Sequence, residues 1–196
     1  ENGIYYLFCT GWGISVWSSS DMQSWEREEP VFNEPPQWAT DAVDGFRGHV
    51  WAPDIAFYNN EYYLYYSVSS FGKNTSCIGL ATNKTLDPSD PGFEWIDHGK
   101  VIQSFPGKTN WNAIDPNLIV DDEGTPFLSF GSFWGGLQLG RLTPDAKKMN
   151  ENTDNLITIA SRKSNQEEGG NYSVEAGNNA IEAPFIFKKG DFYYLF

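Results

Sequence analysis

Two acids stand in nearly the same phrase. Asp115 closes Asn112-Ala113-Ile114-Asp115-Pro116, and Glu182 lies within Asn179-Ala180-Ile181-Glu182-Ala183-Pro184. Two carboxyls brought into one cleft are what glycosidic bond hydrolysis requires, one protonating the leaving oxygen while another activates water or attacks. Mutual repulsion would raise one pKa and hold a proton near neutrality. The longer Glu suits reaching the glycosidic oxygen, and the shorter Asp suits an orienting role. The same residues also read as turn caps before strands, since Asp-Pro is itself a turn signal.

The elements that would carry these acids come in repeats. Four aromatic strands each follow a turn, beginning near Tyr5, Tyr62, Phe127 and Tyr193, at steps of 57, 65 and 66 residues. Ahead of the last three lies a proline and a short apolar strand: Pro53 to Phe57, Pro116 to Val120 and Pro184 to Phe187. Further strands are read at Ile14 to Ser18 and around Trp25, and at Cys77 to Ala81 and Trp95 to Ile102. Four strands per unit of about 60 residues describe a long β-propeller blade. In a propeller the first strand of each blade lines the channel, so acids placed just before those strands converge on the axis. A closed ring typically takes about four to eight blades, and about three are read here. The expectation is therefore an internal piece of a longer propeller. Residues 1–196 form part of one catalytic domain: blade one from its hairpin onward, blades two and three, and the start of blade four.

Composition agrees with an all-β chain. Aromatic residues make up 16%, beside 19 glycines and 11 prolines in 196 residues. A formal charge of −13 excludes nucleic acid and anionic membrane surfaces as natural partners. No apolar run has the length of a membrane span. Cys9 and Cys77 are read as buried free thiols. Asn74, Asn83 and Asn171 open Asn-X-Ser/Thr sequons, which are compatible with secretion.

At these motifs the chain resembles the arabinanase branch of glycoside hydrolase family 43. The resemblance runs in order through Gly13 to Trp25 ("GISVWSSSDMQSW"), Phe46 to Ile55 ("FRGHVWAPDI"), Tyr65 to Gly72 ("YYSVSSFG"), "NAIDP", Gly131 to Gly136 ("GSFWGG") and "NAIEAPFI". It implies a five-bladed β-propeller that cuts internal α-1,5-arabinofuranosidic bonds of arabinan with inversion. It further implies that Glu182 is the general acid and that Asp115 orients it and tunes its pKa. The family's general base is an aspartate in an "HDP"-like element on the first blade, and no such element occurs among these residues. Asp41, Asp44 and Asp54 do not fit that place.

The same resemblance places Trp51, Phe71, Gly72, Trp111, Asn112, Ala113, Ile114, Ser132, Phe133 and Trp134 in motifs that line the sugar cleft. Flat aromatic faces among them would stack on a furanose. Tyr5, Tyr6, Tyr62, Tyr63, Tyr193 and Tyr194 are read as strand packing, His49 as a structural hydrogen-bonding group and His98 as an outer-strand or turn residue. Asp121-Asp122-Glu123-Gly124 is read as a hairpin turn rather than a cation site. No cofactor is expected for the chemistry. A structural calcium ion in the channel is part of what the resemblance implies, with no ligand named in this chain. The expected partner is arabinan or the side chains of pectin, acted on by a secreted monomer. Two alternatives stay open: an exo-acting arabinofuranosidase or xylosidase of the same family, and a propeller that binds sugar without cleaving it.

Overall fold

The computed structural model describes residues 1–150, 152–162 and 180–196. Its strands fall into four antiparallel sets. The first contains β1 (Tyr5–Cys9), β3 (Ser15–Ser19) and β4 (Glu26–Arg27), in that order. The second is β5 (His49–Tyr58), β6 (Glu61–Val68), β7 (Ser76–Asn83) and β8 (Ile96–Ser104), with short β2 (Gly11–Trp12) added beyond β5. The third is β9 (Asn117–Val120), β10 (Pro126–Phe130), β11 (Leu137–Arg141) and β12 (Ile157–Ala160). The last is the hairpin of β13 (Ile186–Lys189) and β14 (Phe192–Leu195). One short helix, α1 (Gln37–Ala42), lies against β7 and β8.

Local chemistry sets the hairpins. Asn59 and Asn60 both have positive φ, +49° and +61°, which matches a two-residue turn to the right-handed twist of β5 and β6. The Asp121 carboxylate closes the β9–β10 turn by accepting from the N–H groups of Glu123 and Thr125, so this acidic stretch is a turn as expected. The apolar alternation of β6 fills two cores. Leu64, Tyr66 and Val68 face the first sheet, while Tyr63 and Tyr65 face the third. Both faces of the second sheet are thus dry, which explains its almost unbroken apolar strands.

The packing reading of the tyrosines divides. Tyr63 is buried and Tyr6 packs against the first core, but Tyr5, Tyr193 and Tyr194 are exposed. His98 lies on β8 and shares a 2.8 Å hydrogen bond with the Thr82 hydroxyl. Cys9 and Cys77 are free; burial pushes the Cys77 thiol up to about 12 and leaves it chemically quiet. The sequon reading needs correction. Asn74 and Asn83 are 0% and 2% exposed, held inside the second blade, so neither can present its amide to a glycan in the folded protein. Asn171 lies outside the described residues.

The inner strands repeat a backbone device that sequence reading missed. Ala52, Asp115 and Ala183 all have positive φ, +42°, +58° and +56°, and each directly precedes its blade's proline. Proline disfavours helical conformations in the residue before it, and a non-glycine residue in such a region costs about 1–3 kcal/mol. Three equivalent positions, each one residue before a proline, thus carry the same backbone strain.

A polar clasp ties these strands together. Asp54, one residue beyond Pro53, accepts from the Leu118 N–H at 3.1 Å and from the Asn117 amide at 3.3 Å. Asn117, one residue beyond Pro116, in turn accepts from the Ile186 N–H at 2.9 Å. Burial pushes the Asp54 carboxyl up, against the effect of its two hydrogen bonds. Replacing Asn117 by Leu leaves the Ile186 N–H and one Asp54 oxygen without partners. The expected cost is about 1–3 kcal/mol, measured by denaturant unfolding of the intact protein. An unchanged unfolding midpoint would show that the clasp contributes nothing.

Candidate active site

The two acids meet where the third blade abuts the fourth. Asp115 is held from behind, its N–H donating to the Ser67 hydroxyl at 3.0 Å. Its carboxylate reaches across to the next inner strand and accepts from the Ala183 N–H at 3.2 Å. Ala183 directly follows Glu182, so this bond fixes one acid relative to the other. Glu182 accepts from the Ser132 hydroxyl at 3.0 Å, and Ser132 and Glu182 form an isolated antiparallel bridge. The Phe133 N–H donates to the Ile181 carbonyl at 2.8 Å, which secures the segment that carries the glutamate.

The repeated phrase is offset by one residue. Counted back from the prolines, Asp115 corresponds to Ala183, whereas Glu182 corresponds to Ile114. The acids therefore enter from neighbouring strands at successive positions. Asn179 lies outside the described residues, so this comparison rests on Ala180 onward.

Electrostatics distinguishes Asp115. Its carboxyl is pushed up to about 6, with burial the largest cause and the charge of Glu182 adding to it, while the Ala183 N–H pulls the other way. Repulsion between the acids, the cause expected from the sequence, is the smaller contribution. Half-buried Asp115 can thus exchange a proton close to neutrality.

The loop Gly131 to Gly136 that carries Ser132 is tightly wound. Gly131, Phe133, Trp134 and Gly136 all have positive φ, at +130°, +54°, +36° and +91°. A Cβ on Gly131 would stand 2.6 Å from the Gly136 carbonyl oxygen, so glycine is required for the loop to close. Strain of this kind in non-glycine residues clusters at functional sites.

The expected sugar contacts divide into two groups. Trp51 is half-buried on β5, directly opposite Ser67, and donates its indole N–H to His49 Nδ1 at 3.0 Å. His49 thus makes the structural contact anticipated for it. Phe71, on the loop after β6 with Gly72 at φ +74°, is 94% exposed, unusual for so large a ring. Phe133 is half-buried beside Ser132. By contrast Trp111 is buried edge-on to Phe130 at a centroid distance of 5.5 Å, and this corrects its reading as a stacking platform. Asn112, Ala113 and Ile114 are buried as well. Their backbone positions Asp115, with the Ile114 carbonyl accepting from the Gly131 N–H at 2.9 Å. Trp134 is also buried.

Three other aspartates take no part in the pair. Asp54 spends both oxygens in the clasp, Asp41 is exposed on α1 and bonded to Gln37, and Asp44 is exposed. Among the described residues no group of three or more His, Cys, Asp or Glu side chains converges to hold a cation.

Sequence reading overlooked Thr10 and Ser67. Aligned on their hairpins, Thr10, Ser67 and Ser132 occupy the same place, five residues beyond Tyr5, Tyr62 and Phe127. A hydroxyl recurring at one repeat position was the available signal.

The propeller's successive inner strands thus bring Asp115 and Glu182 to one blade junction. The chain belongs to glycosyl hydrolases family 43, whose model matches residues 1–196. It is 47% identical, over its whole length and 55% of the relative's, to the extracellular exo-α-(1→5)-L-arabinofuranosidase ArbA of Cellvibrio japonicus. It is 40% identical, again over its whole length and 55% of the relative's, to the extracellular endo-α-(1→5)-L-arabinanase 1 of Bacillus subtilis. The structure of the Cellvibrio cellulosa α-L-arabinanase complexed with arabinohexaose superposes with a TM-score of 0.91 at 46% identity, covering 100% of this chain and 61% of that one. The fold is accordingly that of the five-bladed propeller, and the chain spans about half the length of the curated relatives it matches.

Proposed function

We propose that the intact protein hydrolyses α-1,5-linked arabinan, with Glu182 as general acid and Asp115 as the group that orients it. The observation that carries this reading is the bonded assembly of Asp115, the Ala183 N–H, Glu182 and Ser132 at one blade junction. Ser132 engages one oxygen of Glu182 and leaves the other to carry the proton delivered to the glycosidic oxygen. Asp115 holds the backbone beside Glu182, so the acid keeps its direction while the sugar departs. The base that activates water is assigned to a residue outside those described, which an inverting reaction would hold about 6.5–9.5 Å from the acid. Trp51 and Phe71 would supply apolar faces for furanose rings.

Endo action is the leading form of the proposal. Exo action is the second reading, and the 47% identity to a protein named as an exo-arabinofuranosidase favours it. Secretion follows the names of the extracellular relatives. The test is the product profile on linear arabinan. Endo cleavage releases a spread of arabino-oligosaccharides at early times, exo cleavage releases a single short product from the outset, and absence of any product refutes both.

A further inference from the structure

The three blade junctions share one hydroxyl position but use it in two ways. At the first, the Ala52 N–H donates to the Thr10 hydroxyl at 2.9 Å. At the second, the Asp115 N–H donates to the Ser67 hydroxyl at 3.0 Å. Both donors are the strained residue before the inner-strand proline, and both acceptors lie five residues beyond Tyr5 or Tyr62 of the preceding blade. By that rule the Ser132 hydroxyl should receive the Ala183 N–H. It does not: that N–H goes to the Asp115 carboxylate at 3.2 Å, and Ser132 instead donates to Glu182 at 3.0 Å.

We propose that Asp115 takes the Ala183 N–H in place of the repeat's hydroxyl, and that Ser132 is the positioning residue that holds Glu182. Ser132 is 4% exposed and sits opposite Glu182 across the antiparallel bridge, with its hydroxyl bonded to the Glu182 carboxylate. One substitution in the repeat, an acid where the other two junctions have alanine, converts a backbone lock into a side-chain clamp. The clamp fixes the direction of the Glu182 carboxyl, because one of its oxygens is tied to a buried hydroxyl. Asp115 acts on the same group through the Ala183 backbone. This inference rests on the proposed roles of Asp115 and Glu182.

The test uses the intact protein and Ser132→Ala. On linear arabinan the variant's kcat falls by up to about 10²-fold with KM little changed, the size a misdirected catalytic group gives. On an aryl arabinofuranoside whose phenolate departs without a proton the loss is far smaller, because the clamp serves proton delivery. Ser132→Thr keeps the wild-type rate on both substrates, since threonine already serves this position at Thr10. Equal losses on the two substrates, or an undiminished rate in Ser132→Ala, would overturn the clamp. Turnover of a glycan other than arabinan with the same leaving-group dependence would sink the arabinanase reading and leave the clamp standing.

Discussion

Glu182→Gln is expected to remove most turnover of linear arabinan, lowering kcat/KM about 10²–10⁴-fold, the usual contribution of a positioned general acid. Glutamine keeps the shape of the side chain and an oxygen to accept from Ser132, so the fold and the junction survive. What it lacks is a proton to give. The loss should therefore depend on the leaving group. An aryl arabinofuranoside whose phenolate departs without help should lose far less than the polysaccharide, because its bond breaks before protonation is needed. Initial rates on both substrates give the comparison. Equal losses on the two would mean that Glu182 does not act as the acid, and unchanged turnover of arabinan would remove it from the site.

Asp115 carries the second large effect, and it has opposite signs for activity and stability. Asn at this position can still accept the Ala183 N–H, so the strand junction holds, but the acidic group proposed to orient Glu182 is gone. Activity on arabinan should fall about 10–10³-fold, with a larger fall for Asp115→Ala, which also gives up the acceptor. The stability argument follows from the carboxyl's rise to about 6. A folded pKa above the unfolded value means that the native state binds the proton more tightly. Asp115 then contributes stability that is fully present below the ordinary carboxylate range and lost as pH rises through about 6. At pH 8 the wild-type protein must hold a desolvated charge there, a cost of about 3 kcal/mol from the size of the rise. Asp115→Asn should therefore be more stable than wild type at pH 8, by up to about that amount, and show little difference at pH 4. Thermal unfolding at the two pH values reads this directly. A variant less stable than wild type at pH 8 would show that the carboxylate is well solvated and the strain lies elsewhere.

The sequence revealed what repeats and left hidden what depends on direction. The turns at Asn59-Asn60 and Asp121 to Thr125, the proline-led inner strands and the two acids were all legible, because turn chemistry and apolar alternation act over a few residues. The burial of Trp111 was not. Its ring belongs to the core between the second and third sheets, and a tryptophan in a cleft motif looks the same whether it faces sugar or Phe130. The sequons misled for a similar reason: Asn74 and Asn83 have an exposed residue's composition around them but sit inside a blade. The offset between Asp115 and Glu182 was visible as one extra alanine. Its consequence was not, since only the positive φ values at Ala52, Asp115 and Ala183 show which residues are equivalent. The hydroxyls of Thr10, Ser67 and Ser132 were countable in the repeat, whereas the reversal of the bond at Ser132 needs coordinates.

The most direct measurement of the central claim is the initial rate of reducing-end release by the intact protein on linear α-1,5-arabinan, taken beside β-1,4-xylan. A site built from Asp115 and Glu182 for arabinofuranose should cleave arabinan and leave xylan at least about tenfold slower, a margin of about 1.4 kcal/mol in transition-state binding. No release from arabinan, or faster release from xylan, would contradict the account.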